Sequence, residues 1–562
     1  MYEQATSWWK RPSPWWFLAV IPFASLARAA TAAPRVELYI ELVCDAYKPD
    51  TTIGRIVQSS SLLPMLPMLK EHDRWDICSS DPIVQAAVAK LSLAMTTSMG
   101  ILGCLTTAWW GSLSDRYGRT TIVTFSIIGL LMEDLAFILV CNFSELLPGG
   151  YWFLTLGPVL AGMLGGLNAV SAGAHAYIAD CTDPTTRSRY FSLFIGLLFM
   201  GFSFGPTLGS ILISYTGQPL SVFYVAAVLH MLYAVFVYFF VPESLTTQQM
   251  SEFKCTFKSE MKERRDARSK GGPLMQLGRA FGFLRPLALL LPGVVEEKGS
   301  GKRKRSWNLL LLAAGYGCTI ALKGDITYEY QYMSLTFGWT SEQLGYYTSA
   351  LGATRAIYLT VLLPVIMKLL QPKLAAVRLP DEAYDHPQTS QTSNAEQPQA
   401  RAEQAATPHS STLDLALARI SILIEVVAYI MMALAPNGYV FTAYAVFSAL
   451  GVGFTPAINS VASALYTQNG GKELGKLFGA LGVVQTICSQ VLGPFLFGVT
   501  YMKTVATAPK AIFAVSVAAL TTSFLLLAPI RLQTRSGGTS DVDLEQNESL
   551  PDERTPLVRG VR

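Results

Sequence analysis

Twelve predominantly apolar runs, each close to the length that crosses a bilayer, constrain this chain more than any other feature. They fall at about 15–33, 91–110, 121–141, 152–178, 190–213, 221–241, 307–326, 344–369, 415–435, 439–465, 477–498 and 511–530. A hydrocarbon layer of about 30 Å calls for about 20 such residues in a helix. In lipid every backbone N–H and C=O must find a partner, which a helix supplies within its own segment. Composition agrees: 51% of the residues are hydrophobic and 15% charged, against about 25% charged in soluble domains, and mean hydropathy is +0.35. The chain reads as an integral membrane protein. The first run follows Lys10 and Arg11 and is long enough to span, so a retained helix is expected rather than a cleaved leader.

Basic residues set the expected orientation. Fourteen Lys and Arg lie between Lys254 and Arg305, and most of the rest fall in segments that share a side with both termini. That side is expected to be cytosolic, and the net charge of +4 is a topology signal that requires no nucleic acid. The expected plan is a cytosolic N-terminus (1–14), a six-helix bundle (15–241), a cytosolic central loop (242–306), a second six-helix bundle (307–530) and a cytosolic tail (531–562). A polar stretch at 371–412, rich in Gln, Ser, Thr, Ala and Pro, is expected to be a disordered cytosolic loop. Leu274 to Leu291 is apolar but broken by Arg279, Arg285 and Pro286, which suits an interfacial helix better than a thirteenth span. Of the eight cysteines, Cys44 and Cys78 fall near the first outer loop and could form a disulfide; none shows zinc-ligand spacing. In the tail, Glu553 to Val558 approximates an acidic dileucine signal, and Asn142-Phe-Ser144 is a glycosylation sequon close to the third run.

An internal repeat supports the six-plus-six division. Arg187-Ser-Arg-Tyr-Phe191 leads into Gly205-Pro206-Thr-Leu-Gly209, and Gly475-Lys-Leu-Phe478 leads into Gly493-Pro494 and Gly498. Parallel six-helix repeats are a transporter architecture with the substrate site between the halves.

The turn between the second and third runs reads Gly111-Ser-Leu-Ser-Asp115-Arg116-Tyr-Gly118-Arg119. It resembles the G-x-L-x-D-R-x-G-R loop of the major facilitator superfamily at every defining position, and Val241-Pro-Glu-Ser244 resembles that family's end of helix 6. The resemblance implies an all-α membrane protein of twelve transmembrane helices in two six-helix repeats, the major facilitator fold. It also implies a cytosolic gating latch in which Arg119 pairs with Asp180. Asp115 is expected to face a helix N-terminus, where negative charge is favoured. Gly201-Phe-Ser-Phe-Gly205-Pro206-Thr-Leu-Gly209-Ser210 is similar to the helix 5 stretch of the superfamily's proton-coupled exporters, with Ser210 in place of the last Gly. Small residues there allow close packing and Pro206 a kink. Cys78-Ser-Ser-Asp81, Ala179-Asp180 through Arg189, and Asp325-Ile with Trp339 resemble the proton-coupled folate transporter family.

Ionisable groups inside spans are expensive and usually face the bundle interior. Asp325 and Glu329 lie one turn apart at the end of the seventh run among Tyr328, Tyr330 and Tyr332. They are candidates for proton uptake or for a cationic solute; the alternative is an outer loop with an interfacial tyrosine belt. Arg355 and Glu425 sit in mid-run and are expected to pair, and Glu133 with Asp134 is given the same structural reading. Glu37, Glu41 and Asp45 repeat every fourth residue after Arg35, a face open to proton, substrate or solvent. Asn168 and Asn459 are candidate substrate contacts or interhelical hydrogen bonders, and a lone His175 is read as structural.

No GxxxxGK[ST], GxSxG or HExxH pattern is present, so no ATP site, catalytic residue, metal or cofactor is expected. The resulting expectation is a secondary transporter, not an enzyme, moving a small organic solute by alternating access and driven by a proton gradient. Export is the leading direction; folate-transporter-like uptake is the rival, and a non-transporting nutrient sensor is a third reading. The expected partners are the small-molecule substrate and the lipid bilayer, with the chain a monomer in the plasma membrane or a vacuolar or endosomal membrane.

Overall fold

The computed structural model describes residues 11–48, 71–182, 184–268, 287–296, 303–370, 411–469 and 474–530. The expectations for 371–410, for 274–286 and for the tail from Arg531 lie outside the described residues.

Among the described residues, twelve apolar helices or helix pairs follow one another. They are α1 (Trp15–Tyr47), α2 (Pro82–Tyr117), α3 (Arg119–Phe143), α4 (Gly150–Asp180), α5 (Pro184–Thr216) and α6 (Ser221–Phe239). Then come α7 (Asn308–Gly324 with Ile326–Phe337), α8 (Ser341–Met367), α9 (Ser411–Leu434), α10 (Gly438–Gln468), α11 (Leu477–Thr504) and α12 (Ala511–Leu527). Ten are long and apolar enough to span; α7 does so as a pair bent by 43°, and α12 has 17 residues. A polar helix, Thr247–Arg268, and a two-stranded antiparallel hairpin, β1 (Gly293–Glu296) with β2 (Arg303–Ser306), lie between α6 and α7. The hairpin is the only strand pair among the described residues.

Two sequence boundaries need correction. The first run was expected to end near 33, yet α1 continues to Tyr47. Pro34 cannot donate to the carbonyl one turn back, so the helix breaks at Thr31 and resumes from Ala32. The seventh run, expected to end at 326, continues to Phe337. Asp325, Glu329 and the tyrosines lower its hydropathy without ending the helix, and they are buried, which removes the outer-loop reading.

The break in α4 shows how a membrane helix tolerates irregular backbone. Gly165 and Gly166 take φ of +87° and +51°, conformations that an L side chain rarely adopts. A Cβ on Gly165 would also sit 2.8 Å from Trp110 Cδ1. At the break three carbonyls accept from neighbouring side chains. Thr106 Oγ1 donates to Gly162 O at 2.8 Å, Trp110 Nε1 to Met163 O at 2.9 Å, and Ser126 Oγ to Leu164 O at 2.9 Å.

Phe17, Ile127, Tyr177, Phe194 and Tyr233 form one buried core joining α1, α3, α4, α5 and α6. The chain's two halves meet along α5 with α8 and α2 with α11. One end of the molecule carries the Cys44–Cys78 disulfide, with Cα atoms 5.7 Å apart; the other carries the Gly111–Arg119 turn. These ends are called the disulfide face and the basic face below.

Candidate functional site

On the basic face, Gly118 closes the turn between α2 and α3 at φ +106°. A Cβ there would meet Glu243 Oε2 at 2.5 Å, so only glycine lets that carboxylate reach the start of α3. The N–H groups of Arg119 and Thr120 donate to Glu243 at 2.8 and 3.1 Å, and Thr120 Oγ1 donates at 2.7 Å. The anion at this helix N-terminus is therefore Glu243, not Asp115 as expected. Asp115 instead pairs with Arg119 one turn on, at 2.6 Å. Arg119 Nε also lies 3.1 Å from Asp180 Oδ2, the pair the resemblance implies. Ser244 Oγ donates to the same carboxylate at 3.0 Å, and Tyr177 OH to Pro242 O at 2.8 Å. Arg116 stacks over Phe257 of the helix Thr247–Arg268 at 3.7 Å, and Lys254 of that helix lies over Tyr117 at 4.7 Å. Gly111 faces open space. The whole clasp joins α2, α3, α4 and the segment after α6.

The Gly201–Gly209 stretch forms a seam. A Cβ on Gly201 would run into Ser25, on Gly205 into Leu26 O at 2.7 Å, and on Gly209 into Ala30 O at 3.0 Å. The three glycines thus let α5 lie against the first half of α1. Just past Pro206, Thr207 N donates to Ser349 Oγ of α8 at 3.0 Å. The corresponding seam recurs in the second half: a Cβ on Gly493 of α11 would strike Ala321 O, and on Gly498 the Tyr328 hydroxyl, both on α7.

Near the disulfide face the halves are closed. The Glu37 carboxylate accepts from Ser341 N at the start of α8. Ser210 Oγ donates to Glu342 O at 2.9 Å and Ser214 Oγ to Glu342 Oε1 at 3.3 Å. The short helix Glu71–Ser79, tied to α1 by the disulfide, sends Trp75 Nε1 to Gly338 O at 3.1 Å, while Arg74 pairs with Asp45. At mid-depth, Asn168 of α4 and Gln490 of α11 exchange two amide hydrogen bonds of 3.3 Å. Gln490 escaped sequence reasoning; its signal is local, a π-helical turn over Cys488–Leu492, a distortion frequent at functional sites.

Two charged centres lie inside the bundle. In the first half, Glu133 of α3 pairs with Arg35 and, at 3.3 Å, with Arg28, both of α1. Asp134 lies 3.8 Å from Arg35 Nη2 and 2.6 Å from His230 Nδ1 of α6. The Arg35 guanidinium also lies 5.1 Å from the Phe137 ring. Sequence reasoning found Glu133 and Asp134 but not these partners.

In the second half, Asp325 sits at the bend of α7. Its Oδ2 accepts from Tyr429 OH of α9 and Ser516 Oγ of α12, both at 3.4 Å. Glu329, one turn on, accepts from Tyr347 OH of α8, and Tyr330 bonds Thr348 at 2.6 Å. Arg355 acts electrostatically on Asp325, Glu329 and Glu425, but it forms no direct ion pair with a described residue. The expected Arg355–Glu425 ion pair is thus not formed. Glu425 itself packs against Gly451 of α10. Burying two carboxylates one turn apart carries desolvation and repulsion costs, which a proton or a cation relieves.

Glu41 lies within electrostatic reach of Cys141 on α3, away from this centre. Asn459 is half-buried. His175 bonds the Ser171 carbonyl at 2.7 Å and packs edge-on to Phe194.

A multi-pass helical bundle, closed at one face around a charged mid-membrane centre, defines a membrane transport fold. Residues 52–379, more than half of the chain, match the Major Facilitator Superfamily, and the chain belongs to it. The MFS-type transporter avaJ of Aspergillus versicolor is 20% identical over 512 residues, 91% of this chain and 87% of that protein. An uncharacterized membrane protein of Schizosaccharomyces pombe is 23% identical over 350 residues, 58% of this chain and 51% of that protein, so the match spans about half its length. The class B tetracycline resistance protein of Escherichia coli is 28% identical over 193 residues, 34% of this chain and 42% of that protein. The crystal structure of the human organic anion transporter MFSD10 (TETRAN) shares the fold, with TM-score 0.52 at 14% identity over 92% of this chain and all of that one. The protein is a multi-pass integral membrane protein of this superfamily.

Proposed function

We propose that this protein exports a small organic solute by alternating access, with a proton gradient as the energy source and no bound cofactor. The observation that carries the reading is the α7–α8–α9 centre, where Asp325, Glu329 and Glu425 share a single arginine. Carboxylates that lack a dedicated counter-ion in the membrane can exchange protons without dismantling the fold. The fourteen basic residues of the central loop support a cytosolic basic face. Similarity to a tetracycline resistance protein and the exporter-like α5 stretch support the outward direction. In this reading the Arg119–Asp180 clasp is the cytosolic gate, the α5 seam the hinge, and Asn168–Gln490 a contact that parts as the site is exposed.

Cells expressing the protein are loaded with rhodamine 123, fluorescein or tetracycline, with and without a protonophore, beside Asp325→Asn. The expected result is lower accumulation of at least one solute, abolished by the protonophore and by the variant. Higher accumulation that rises in external acid overturns export and establishes uptake.

A further inference from the structure

A groove of about 510 Å³ runs along the surface of the bundle between α9 and α12. Ile430 and Leu434, one turn apart on α9, form one rim; Ala514 and Ala518, one turn apart on α12, form the other. The hollow comes from that difference in side-chain size. Both rims are exposed, while the Phe513 ring that lines the floor is buried. The groove therefore opens away from the bundle, toward lipid.

Lys510 is the only charged residue that lines it among the described residues. It is exposed, and none of the ion pairs among the described residues uses it. Its depth follows from helix length. With 17 residues α12 is about 26 Å long, shorter than a hydrocarbon layer of about 30 Å. Lys510 precedes its first turn, so the ammonium is held at the edge of that layer, the level of lipid headgroups, with its stem along apolar surface. Thr522, at the far end of the groove, lies about 18 Å further along the axis. Half the hydrocarbon layer is about 15 Å. The hollow thus has the length of one leaflet, a cation at its headgroup end and apolar rims below.

The floor reaches the charged centre of the second half. Phe513 lies 6.5 Å from the ring of Tyr429, whose hydroxyl donates to Asp325, and Ser516, the other donor, follows it on α12.

We propose that the α9–α12 groove holds one acyl chain of an anionic phospholipid, with its phosphate on Lys510. Charge and length select this occupant: the ammonium meets no competing carboxylate in the groove, and one chain fills a hollow one leaflet deep. The chain bridges α9 and α12 over the floor on which Tyr429 rests. The site depends on membrane placement alone, whichever solute the protein moves.

The test uses the full chain, purified in dodecyl maltoside. Palmitoyl-oleoyl phosphatidylglycerol, the matching phosphatidylcholine and glycerophosphate are titrated, and bound molecules are counted by native mass spectrometry. One phosphatidylglycerol per chain is expected to bind about fivefold more tightly than phosphatidylcholine, the scale of one lysine near an anionic headgroup. Glycerophosphate, which has no chain, should not bind. Lys510→Gln should erase the difference between the lipids and Lys510→Arg should keep it. Ala518→Trp fills the groove and should remove this lipid whichever headgroup it carries; Ala514→Trp, one turn higher, should do the same. All four substitutions fall at exposed positions, so the unliganded Tm is expected to match that of the unmodified protein.

Absence of phosphatidylglycerol binding, a preference that survives Lys510→Gln, a lipid count unchanged in both tryptophan variants, or glycerophosphate binding as tight as the lipid's overturns the site. So does a dimer in light scattering that the tryptophan variants split, because a second copy of the chain then covers the groove.

Discussion

The two charged centres sit in corresponding halves of one bundle and answer the cost of burying charge in opposite ways. Around Glu133 and Asp134 each carboxylate meets a basic side chain directly: Arg28 and Arg35 on Glu133, Arg35 and the His230 imidazole on Asp134. Around Asp325 and Glu329 the carboxylates accept from hydroxyls, and among the described residues neither of them, nor Glu425, has a direct ion pair. Pairing of the first kind locks α1, α3 and α6 together. The second kind leaves α7, α8 and α9 with charge that a proton or a solute can complete. The lesson is that carboxylate count does not mark the working site; the identity of the nearest partner does.

Breaking the paired centre should have the largest effect. Arg35→Leu strands Glu133 beside Arg28 alone, and removing one partner of a buried ion pair costs about 3–5 kcal/mol. Loss of folded protein in detergent, or a large fall in Tm by scanning fluorimetry, is the expected outcome. Wild-type stability in Arg35→Leu would remove the architectural role of this centre.

The unpaired centre should respond the other way round. Asp325→Asn and Glu329→Gln keep the hydroxyl contacts through the amide oxygen, so Tm should stay within a few degrees or rise. Proton-driven flux should fall by about a hundredfold, the scale of losing a proton-transfer group. A variant that loses stability but keeps coupled flux would assign Asp325 to the scaffold.

Smaller effects belong to the two faces. Glu243→Ala leaves the first N–H groups of α3 uncapped and should cost about 1–2 kcal/mol, visible as a lower Tm with the disulfide intact. On the opposite face, partial burial works against the charged form of Asp81. The Lys48 ammonium and the Ile83 N–H outweigh it and hold the carboxyl below its usual value. Because the folded state lowers this group's pKa, its contribution is present above the unfolded value near 4 and lost as pH falls through the folded one. Acid titration of Tm below pH 4 should therefore show a small step that Asp81→Asn removes; an unchanged profile would deny Asp81 that role.

Much of the fold was legible because hydropathy and small-residue spacing are local signals. The repeat of Gly205-Pro206 and Gly493-Pro494 is written in the sequence, and it appears in space as α5 against α1 and α11 against α7. Reading stopped where polar residues continue a helix. Pro34 with Glu37 and Glu41, and Asp325 with Glu329, looked like helix ends because lone acidic side chains read as solvated. The members of the second-half centre were each singled out, but their grouping was not, since Asp325 and Glu425 are far apart in the chain. Arg35 with Glu133, Gln490 with Asn168, and Glu243 with α3 are partnerships of the same long-range kind.

The most direct test of the contrast between the halves is pH-gradient-driven solute movement per folded molecule in reconstituted vesicles. It is measured with fluorescein, rhodamine 123 and tetracycline for the unmodified protein, Asp325→Asn and Glu133→Gln, with Tm recorded on the same preparations. The account predicts coupled flux of at least one of these solutes, lost in Asp325→Asn at unchanged Tm. Glu133→Gln should lower Tm while its folded fraction still couples. Coupling that survives Asp325→Asn, or that disappears in Glu133→Gln at full stability, would contradict it.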